Sequence, residues 1–485
     1  MLDITERMED MKEIKVTPIN ASTTNNGVFQ GWGTSVIWWG NRIGYSEKLS
    51  ADAAEMFFGE SGIRYNIMRY NIGGGDDPTH RHITRTDSMI PGWKKWDEEA
   101  QDFVYDYEAD KNQINVLKKS IAAAGEDAYV EVFSNSPPYF MCKSGCSSGG
   151  VEANMNNLKD ECYEEFAEYL AHVAQYMQDN MGIKVNSVSP MNEPNTDFWR
   201  QYSDKQEGCH FDAGEPQNKI IQATAKAFVD RGMTDVEVVG SDETSTDLAL
   251  LAYKNYYKAT KEVMSRISSH SYGVERIKDL GQLMKEEGWN LWQSETDGGW
   301  VAGEDAGEMG AGLWLGKKII FDMNGLSPAA WVIWLTIDHH TSTDGYMGNK
   351  DNGMPDLNGG YWGLAVADHD NQEILLTQKY YAMGQFSRYI RPGDTIIHCG
   401  EDSLAAYNKE SGKIVVVAVN DTAKEQEFKI EFSDFEKVGD SAKVIRTSGN
   451  RADGEQWAEI GTIAIENAVF SGALKANSIT TFVIE

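Results

Sequence analysis

The chain has 485 residues, more than one compact domain usually holds, so a large domain with a smaller companion is expected. Its composition, 41% hydrophobic and 25% charged, is ordinary globular material and excludes a fibrous or disordered chain. A net charge of −31 excludes nucleic acid and anionic membrane surfaces as partners, since both are polyanions, and fits a neutral ligand.

The opening "MLDITERMED" is charged and lacks the apolar run of a secretion signal, so a cytoplasmic location is expected, or a secreted one if a signal was removed. Within segment 1–24, "EIKVTPI" is strand-like and is expected to join the C-terminal domain. Eight β-rich runs follow: "GTSVIW" (33–38), "IRYNIMRYNI" (63–72), "AYVEVFSN" (128–135), "VNSVSPM" (185–191), "VEVVGS" (236–241), "ISSHSY" (267–272), "LWQSE" (291–295) and "AAWVIWL" (329–335). Helical patterns lie between them. "SADAAEMFF" is expected to be capped by Ser50, "NQINVLKKSIAAAG" stops at Gly125, and "DECYEEFAEYLAHVAQYMQDNMG" stops at Gly182. Strands alternating with helices pair in parallel, and eight of them close into a (β/α)8 TIM barrel over 25–392. The competing open doubly wound sheet would show a Gly-rich phosphate turn after the first strand, and "GWGTSVIWWG" does not supply one. From 393 to 485 short alternating runs such as "KIVVVAVN" and "ITTFVIE" replace the helices, which predicts an antiparallel β-sandwich side domain.

No run of about 18 apolar residues is present, so no membrane span is expected. Cys142 and Cys146, in "CKSGC", lack the second pair of a structural zinc site; free thiols are expected, with a local disulfide as the alternative. The nine histidines show no HExxH, and "DHH" (338–340) lacks a third ligand at helical spacing. Neither a catalytic metal nor a cofactor is therefore expected, while a calcium in "STDGYMGNKDNGMPDLNGG" (342–360) stays open.

Two carboxylates stand out. Glu193 lies just beyond the fourth strand in "VSPMNEPNT", and Glu295 ends the seventh in "LWQSETDGG". One such glutamate is usually a cap or a solvated loop residue. Two at matched strand tips of a barrel, three strand steps apart, face each other across its mouth, where barrel enzymes keep their chemistry. Glycoside hydrolysis needs that arrangement: one carboxyl protonates the leaving oxygen while the other attacks the anomeric carbon or activates water.

"SPMNEPN" and "WQSETDGG", with "GWGTSVIWW", "RYNIGGG", "SNSPPYFM" and "YYAMGQFSRYIRPG", make the whole chain resemble glycoside hydrolase family 30. Within that family it is most similar to the endo-β-1,6-galactanase subfamily. The resemblance implies Glu193 as acid/base, Glu295 as nucleophile, Asn192 on the sugar 2-hydroxyl and Tyr272 hydrogen-bonded to the nucleophile. Arg69 is the candidate cation that keeps Glu295 ionised, with a plain core ion pair as its alternative; the Glu295 charge in turn keeps Glu193 protonated. Of 14 tryptophans, Trp38, Trp39 and Trp334 are placed to line the mouth, and Trp314 is expected in the core. Asn135 and Ser136 after strand three, and Asp76 and Asp77 after strand two, are further candidates for sugar hydroxyls.

The expected function is retaining hydrolysis of β-1,6-linked galactan or galacto-oligosaccharides by a monomer whose partner is that glycan. The alternatives are the same chemistry on β-1,6-glucan, glucuronoxylan or a β-fucoside, an inactive carbohydrate-binding barrel, and a metal-dependent aldolase or isomerase. No Lys/Arg cluster is evident near the strand tips to hold a uronate.

Overall fold

Strand β1 (Gly31–Ser35) lies parallel to β2 (Ile67–Asn71), with Gly33 opposite Ile67. A Cβ on Gly33 would sit 2.3 Å from the Ile67 carbonyl oxygen, so only glycine permits this approach. The computed structural model describes residues 11–299, 308–351 and 362–485. Six more strands continue the sheet: β3 (Tyr129–Phe133), β4 (Ser187–Ser189), β5 (Glu237–Ser245), β6 (Arg266–Gly273), β7 (Asn290–Glu295) and β8 (Ala330–Ile333). All pairings are parallel, and β8 pairs with β1 to close the barrel. The (β/α)8 fold read from the sequence is the fold observed.

Two local expectations are corrected. The first strand ends at Ser35 rather than Trp38, because Trp38 adopts a left-handed backbone (φ 63°) and a short helix, Trp39–Ile43, follows it. The helix Glu47–Phe58 is capped by Ser46, whose hydroxyl accepts from the Leu49 amide; Ser50 lies inside it. The helices Lys111–Ala124 and Tyr163–Met181 do end at Gly125 and Gly182.

The barrel interior is polar. Glu131 on β3 accepts from Arg69 Nε (3.0 Å) and pairs with Arg266, whose guanidinium lies 3.5 Å over the Trp292 ring. These three charged groups are fully buried and form a column from the barrel floor towards its mouth.

In the C-terminal region six antiparallel strands lie in the order Thr395–His398, Ser403–Tyr407, Ile414–Asn420, Ser478–Ile484, Ser441–Ser448, Glu455–Ala464. Facing them is a three-stranded sheet in which Lys12–Val16 runs parallel to Gln426–Phe432, itself paired with Val469–Leu474. Ile14, Val16, Phe428, Ile430, Val416 and Phe482 share one core between the sheets. The helix Gln378–Ser387 docks this region on the barrel through Gln385 Nε2 to Thr447 Oγ1 (2.8 Å) and Trp457 Nε1 to the Tyr381 carbonyl (2.7 Å).

All five cysteines are free and buried. Asp351, in the candidate calcium segment, is held by Arg42 at 2.8 Å; residues 352–360 of that segment lie outside the described residues. Trp314 is 36% exposed on the outer face of the helix Met309–Leu326, not in the core.

Candidate active site

After β4 the chain turns through Pro190 and Met191, and Glu193 takes a left-handed backbone conformation (φ 47°) that a non-glycine residue adopts only when its surroundings hold it. They do so here. The Glu193 amide donates to the Asp242 carbonyl (2.9 Å), and its own carbonyl accepts from Trp199 Nε1 (3.0 Å) and Thr196 Oγ1 (2.9 Å). Glu295 is the last residue of β7, just past a shift in register against β6 between Gln293 and Glu295, and its carboxylate is buried. Both its oxygens are engaged: Oε1 accepts from the Tyr272 hydroxyl (3.1 Å) and Oε2 from Arg69 Nη1 (2.9 Å).

His270 bridges the pair. Its Nδ1 is 3.2 Å from Glu193 Oε1 and 3.6 Å from Glu295 Oε1, and its Nε2 faces Asp242 Oδ1 at 3.4 Å. Asp242, at the tip of β5, also binds Arg69 Nη2 (2.5 Å) and the Ser294 hydroxyl (2.6 Å). Glu193, His270 and Glu295 each present a donor atom within 4.8 Å of the others. Such a triad has metal-ligand geometry, and groups of the chain itself already face both carboxylates: Arg69 and Tyr272 at Glu295, and His270 at Glu193.

Burial alone would depress His270, yet the Glu295 and Asp242 charges raise it to about 10, so the ring is an imidazolium at neutral pH. Burial would raise Asp242, yet Arg69 and His270 hold it down to about 2. For Glu295 the balance runs the other way. Burial and the carboxylates of Glu193 and Asp242 push it above the ordinary value, against His270 and Arg69. Arg69 thus pulls Glu295 downward without fully offsetting its burial, and it also joins the core ion pairs.

These shifts predict a stability window. A depressed Asp242 stabilises the fold above its unfolded value of about 3.9, an effect lost as pH falls through about 2. A raised His270 stabilises it below about 6.5, an effect lost as pH rises through about 10. Both operate together between roughly pH 4 and 6.5. Urea unfolding across pH should show the decline above this range in the parent protein and a flatter profile in His270→Gln. An unchanged alkaline slope in the variant would exclude His270 as its source.

The carboxylates open onto a cleft of about 430 Å³. Trp38 and Trp334 meet edge to face at 5.0 Å on one side, and Phe198, Trp199, Tyr272 and Trp362 complete the aromatic lining. Asn192 reaches the cleft with its Oδ1 unpartnered among the described residues, available to a hydroxyl donor. Five of the candidates for the aromatic lining and for sugar hydroxyls do not line it. Trp39 turns under β1, where its Nε1 donates to the Ser35 carbonyl (2.8 Å) and its ring packs on Phe57. Asn135 and Ser136 are buried at the tip of β3: the Asn135 amide donates to Asn71 and the Ser136 hydroxyl to the Pro137 carbonyl. Asp76 and Asp77 accept from backbone amides of their own loop.

The model of O-Glycosyl hydrolase family 30 matches residues 21–347, well over half the chain. The chain belongs to glycoside hydrolase family 30. It is similar to an endo-β-1,6-galactanase of Hypocrea rufa, 29% identical over 95% of this chain and 92% of that one. It is also similar to an exo-β-1,6-galactobiohydrolase of Bifidobacterium longum subsp. longum, 24% identical over 89% of this chain but only 36% of that longer protein. Among solved structures, the family 30 subfamily 8 xylanase of Clostridium acetobutylicum superposes with a TM-score of 0.69 at 20% identity, covering 98% of this chain and 99% of that one. The Hypocrea protein and this family 30 chain match almost end to end, so the likeness takes in the C-terminal strands as well as the barrel.

This family 30 site contains residues that the sequence reading passed over. His270 had a legible signal, since it lies two positions before Tyr272 on a strand whose alternate side chains share a face. Asp242, Thr244 and Asp297 sit at strand tips but carry no distinguishing pattern. Lys205 lines the cleft with its ammonium 5.8 Å over Trp362, and Arg85 stacks 4.2 Å over Trp38 while paired with Asp87 and Asp338. They arrive on loops, so strand-tip inspection could not find them. Among the described residues no helix is long and apolar enough to cross a membrane.

Proposed function

We propose that the chain hydrolyses β-1,6-linked galactan with retention, Glu295 acting as nucleophile and Glu193 as acid/base. The approach of donor atoms on the two carboxylates to within 4.8 Å carries the reading. Retaining glycosidases hold their carboxyls about 5–5.5 Å apart, whereas inverting ones leave about 6.5–9.5 Å for a water. In the first step Glu295 attacks the anomeric carbon and Glu193 gives its proton to the departing glycosidic oxygen, leaving a glycosyl ester on Glu295. In the second, Glu193 takes a proton from water as the water displaces Glu295, and the product keeps its β configuration. Arg69, Tyr272 and His270 hold Glu295 and donate to the carboxylates throughout.

The substrate follows from the relatives: the two named proteins both act on β-1,6-galactosyl linkages, and the fungal one aligns over nearly its full length. The aromatic walls formed by Trp38, Trp334 and Trp199 suit a neutral pyranose, whose C–H faces stack while Asn192 and Asp297 meet its hydroxyls. A single chain supplies every group named, which supports action as a monomer, and five free thiols support a reducing compartment. Lys205 favours a second reading, in which the glycan carries an acidic substituent.

The enzyme is to be incubated in parallel with β-1,6-galactotetraose, β-1,3-galactotetraose and the β-1,6-gluco analogue. Cleavage of the first alone is expected, with the β-anomer appearing first in the proton NMR spectrum. Preference for the gluco compound would remove galactan as the substrate, and initial α-anomer would overturn retention.

A further inference from the structure

Among the described residues another concavity is larger than the catalytic cleft. A groove of about 1250 Å³ runs between the outer face of the helix Met309–Leu326 and the sandwich, and nothing in the mechanism uses it. We propose that this groove is a second glycan-binding site, which holds a β-1,6-galactan chain remote from the bond being cleaved. The proposal rests on the galactanase reading for the identity of the sugar.

Two large aromatic side chains are left open there, Trp314 (36% exposed) and Phe321 (48% exposed). They are seven residues apart, so they share one helix face and lie about 10 Å from each other along its axis. The helix adds Asn324, and the sandwich supplies the opposite wall with Asp402, Asp421 and Asn477. Flat aromatic faces with amide and carboxylate edges are complementary to pyranose rings, which present C–H groups on a face and hydroxyls around the rim. The charges argue for a neutral ligand. Four Lys or Arg and five Asp or Glu line the groove, and Lys317 is already held by Asp421 (2.6 Å) and Asp402 (3.6 Å).

The groove lies close to the catalytic centre. The end of β6 and the loop after it border the two, with Tyr272 on the cleft side and Glu275 to Asp279 on the groove side. Gly299, four residues beyond Glu295, lies so close to Trp314 that a Cβ there would be 2.6 Å from the indole ring. Lys318 donates to the carbonyl (2.8 Å) and hydroxyl (2.9 Å) of Ser271, between His270 and Tyr272. A long polymer bound in the cleft can extend past the β6 loop to the groove, a reach that a tetrasaccharide lacks.

The test compares polymeric β-1,6-galactan with β-1,6-galactotetraose in the parent enzyme and in Phe321→Ala and Trp314→Ala. Phe321 does not line the cleft, so its replacement should lower kcat/KM on the polymer several-fold and leave the tetraose rate unchanged. In Glu295→Gln, retardation in gels containing the polymer should weaken when Phe321→Ala is added. Equal losses on both substrates, or polymer activity and retardation like the parent's, would overturn the groove as a binding site. Failure of the parent to cleave tetraose would instead count against the galactanase reading, and with it against this ligand for the groove.

Discussion

Glu295→Gln should lose activity on every substrate by about 10⁴-fold or more, because no other group lies where the glycosyl ester must form. The amide keeps the size and can still accept from Tyr272, so the fold should persist while the chemistry stops. Glu193→Gln should behave differently. On an unactivated galactoside it should cost about 10²–10⁴-fold, the usual contribution of a positioned acid. An aryl galactoside with a good leaving group needs little protonation, so there the first step should survive and the ester should accumulate. Added azide should then restore turnover of Glu193→Gln and give a β-galactosyl azide, since a small anion fits where the missing carboxylate no longer repels it. Azide giving the α-configured product from Glu295→Gln, with the carboxylate still present at Glu193, is the outcome expected from these same assignments. A β-azide from Glu295→Gln would reverse the two roles.

Arg69→Met should be the most destabilising of the changes considered. Arg69 reaches all three of Glu131, Asp242 and Glu295, which are buried with it. Removing one member of a buried charge network costs about 3–5 kcal/mol, since its partners stay behind uncompensated. The pH dependence is the diagnostic feature. Without Arg69 the buried carboxylates titrate higher in the folded than in the unfolded state. Their penalty is therefore felt above the unfolded value and relieved as pH falls. Denaturant titrations should show a larger deficit at pH 8 than at pH 5, and a deficit independent of pH would mean that lost packing dominates. Because Glu295 also loses a cation that pulls it downward, the acid limb of kcat/KM should move to higher pH in any variant that remains folded.

The barrel was legible because its strands are short apolar runs with helices between them, and the periods of the two are distinct. Glu193 and Glu295 were legible for the same reason: each stands where an inward-facing strand stops. Trp38 and Trp39 show the limit. They are adjacent and identical, and the left-handed backbone at Trp38 alone decides that one lines the cleft while the other is folded beneath β1. Phe198, Trp199, Lys205 and Gln206 come from an irregular segment with no periodicity, placed by contacts such as Trp199 Nε1 on the Glu193 carbonyl. The strand Glu455–Ala464 escaped notice because most of it is exposed and its apolar alternation is weak. Asn135 and Ser136 were expected to reach sugar hydroxyls, but at the tip of β3 both are buried away from the cleft lining, and the Ser136 hydroxyl donates to the Pro137 carbonyl.

The pairing of Lys12–Val16 with Gln426–Phe432 has a consequence for biosynthesis. The first of these strands leaves the ribosome some 410 residues before its partner (426 − 16), a wait of roughly 20 to 80 s at ordinary elongation rates. The barrel can be assembled in that interval while the early strand has nothing to pair with. Its sequence suits the delay: Ile14 and Val16 are the only side chains in it destined for the core, and Lys12, Glu13 and Lys15 keep the rest hydrated. Even in the finished molecule the strand lies at the edge of its sheet, where charged side chains discourage pairing with a neighbouring chain. Docking of that strand thus waits until the whole barrel sequence has been made, a clasp closed by the strands Gln426–Phe432 and Val469–Leu474.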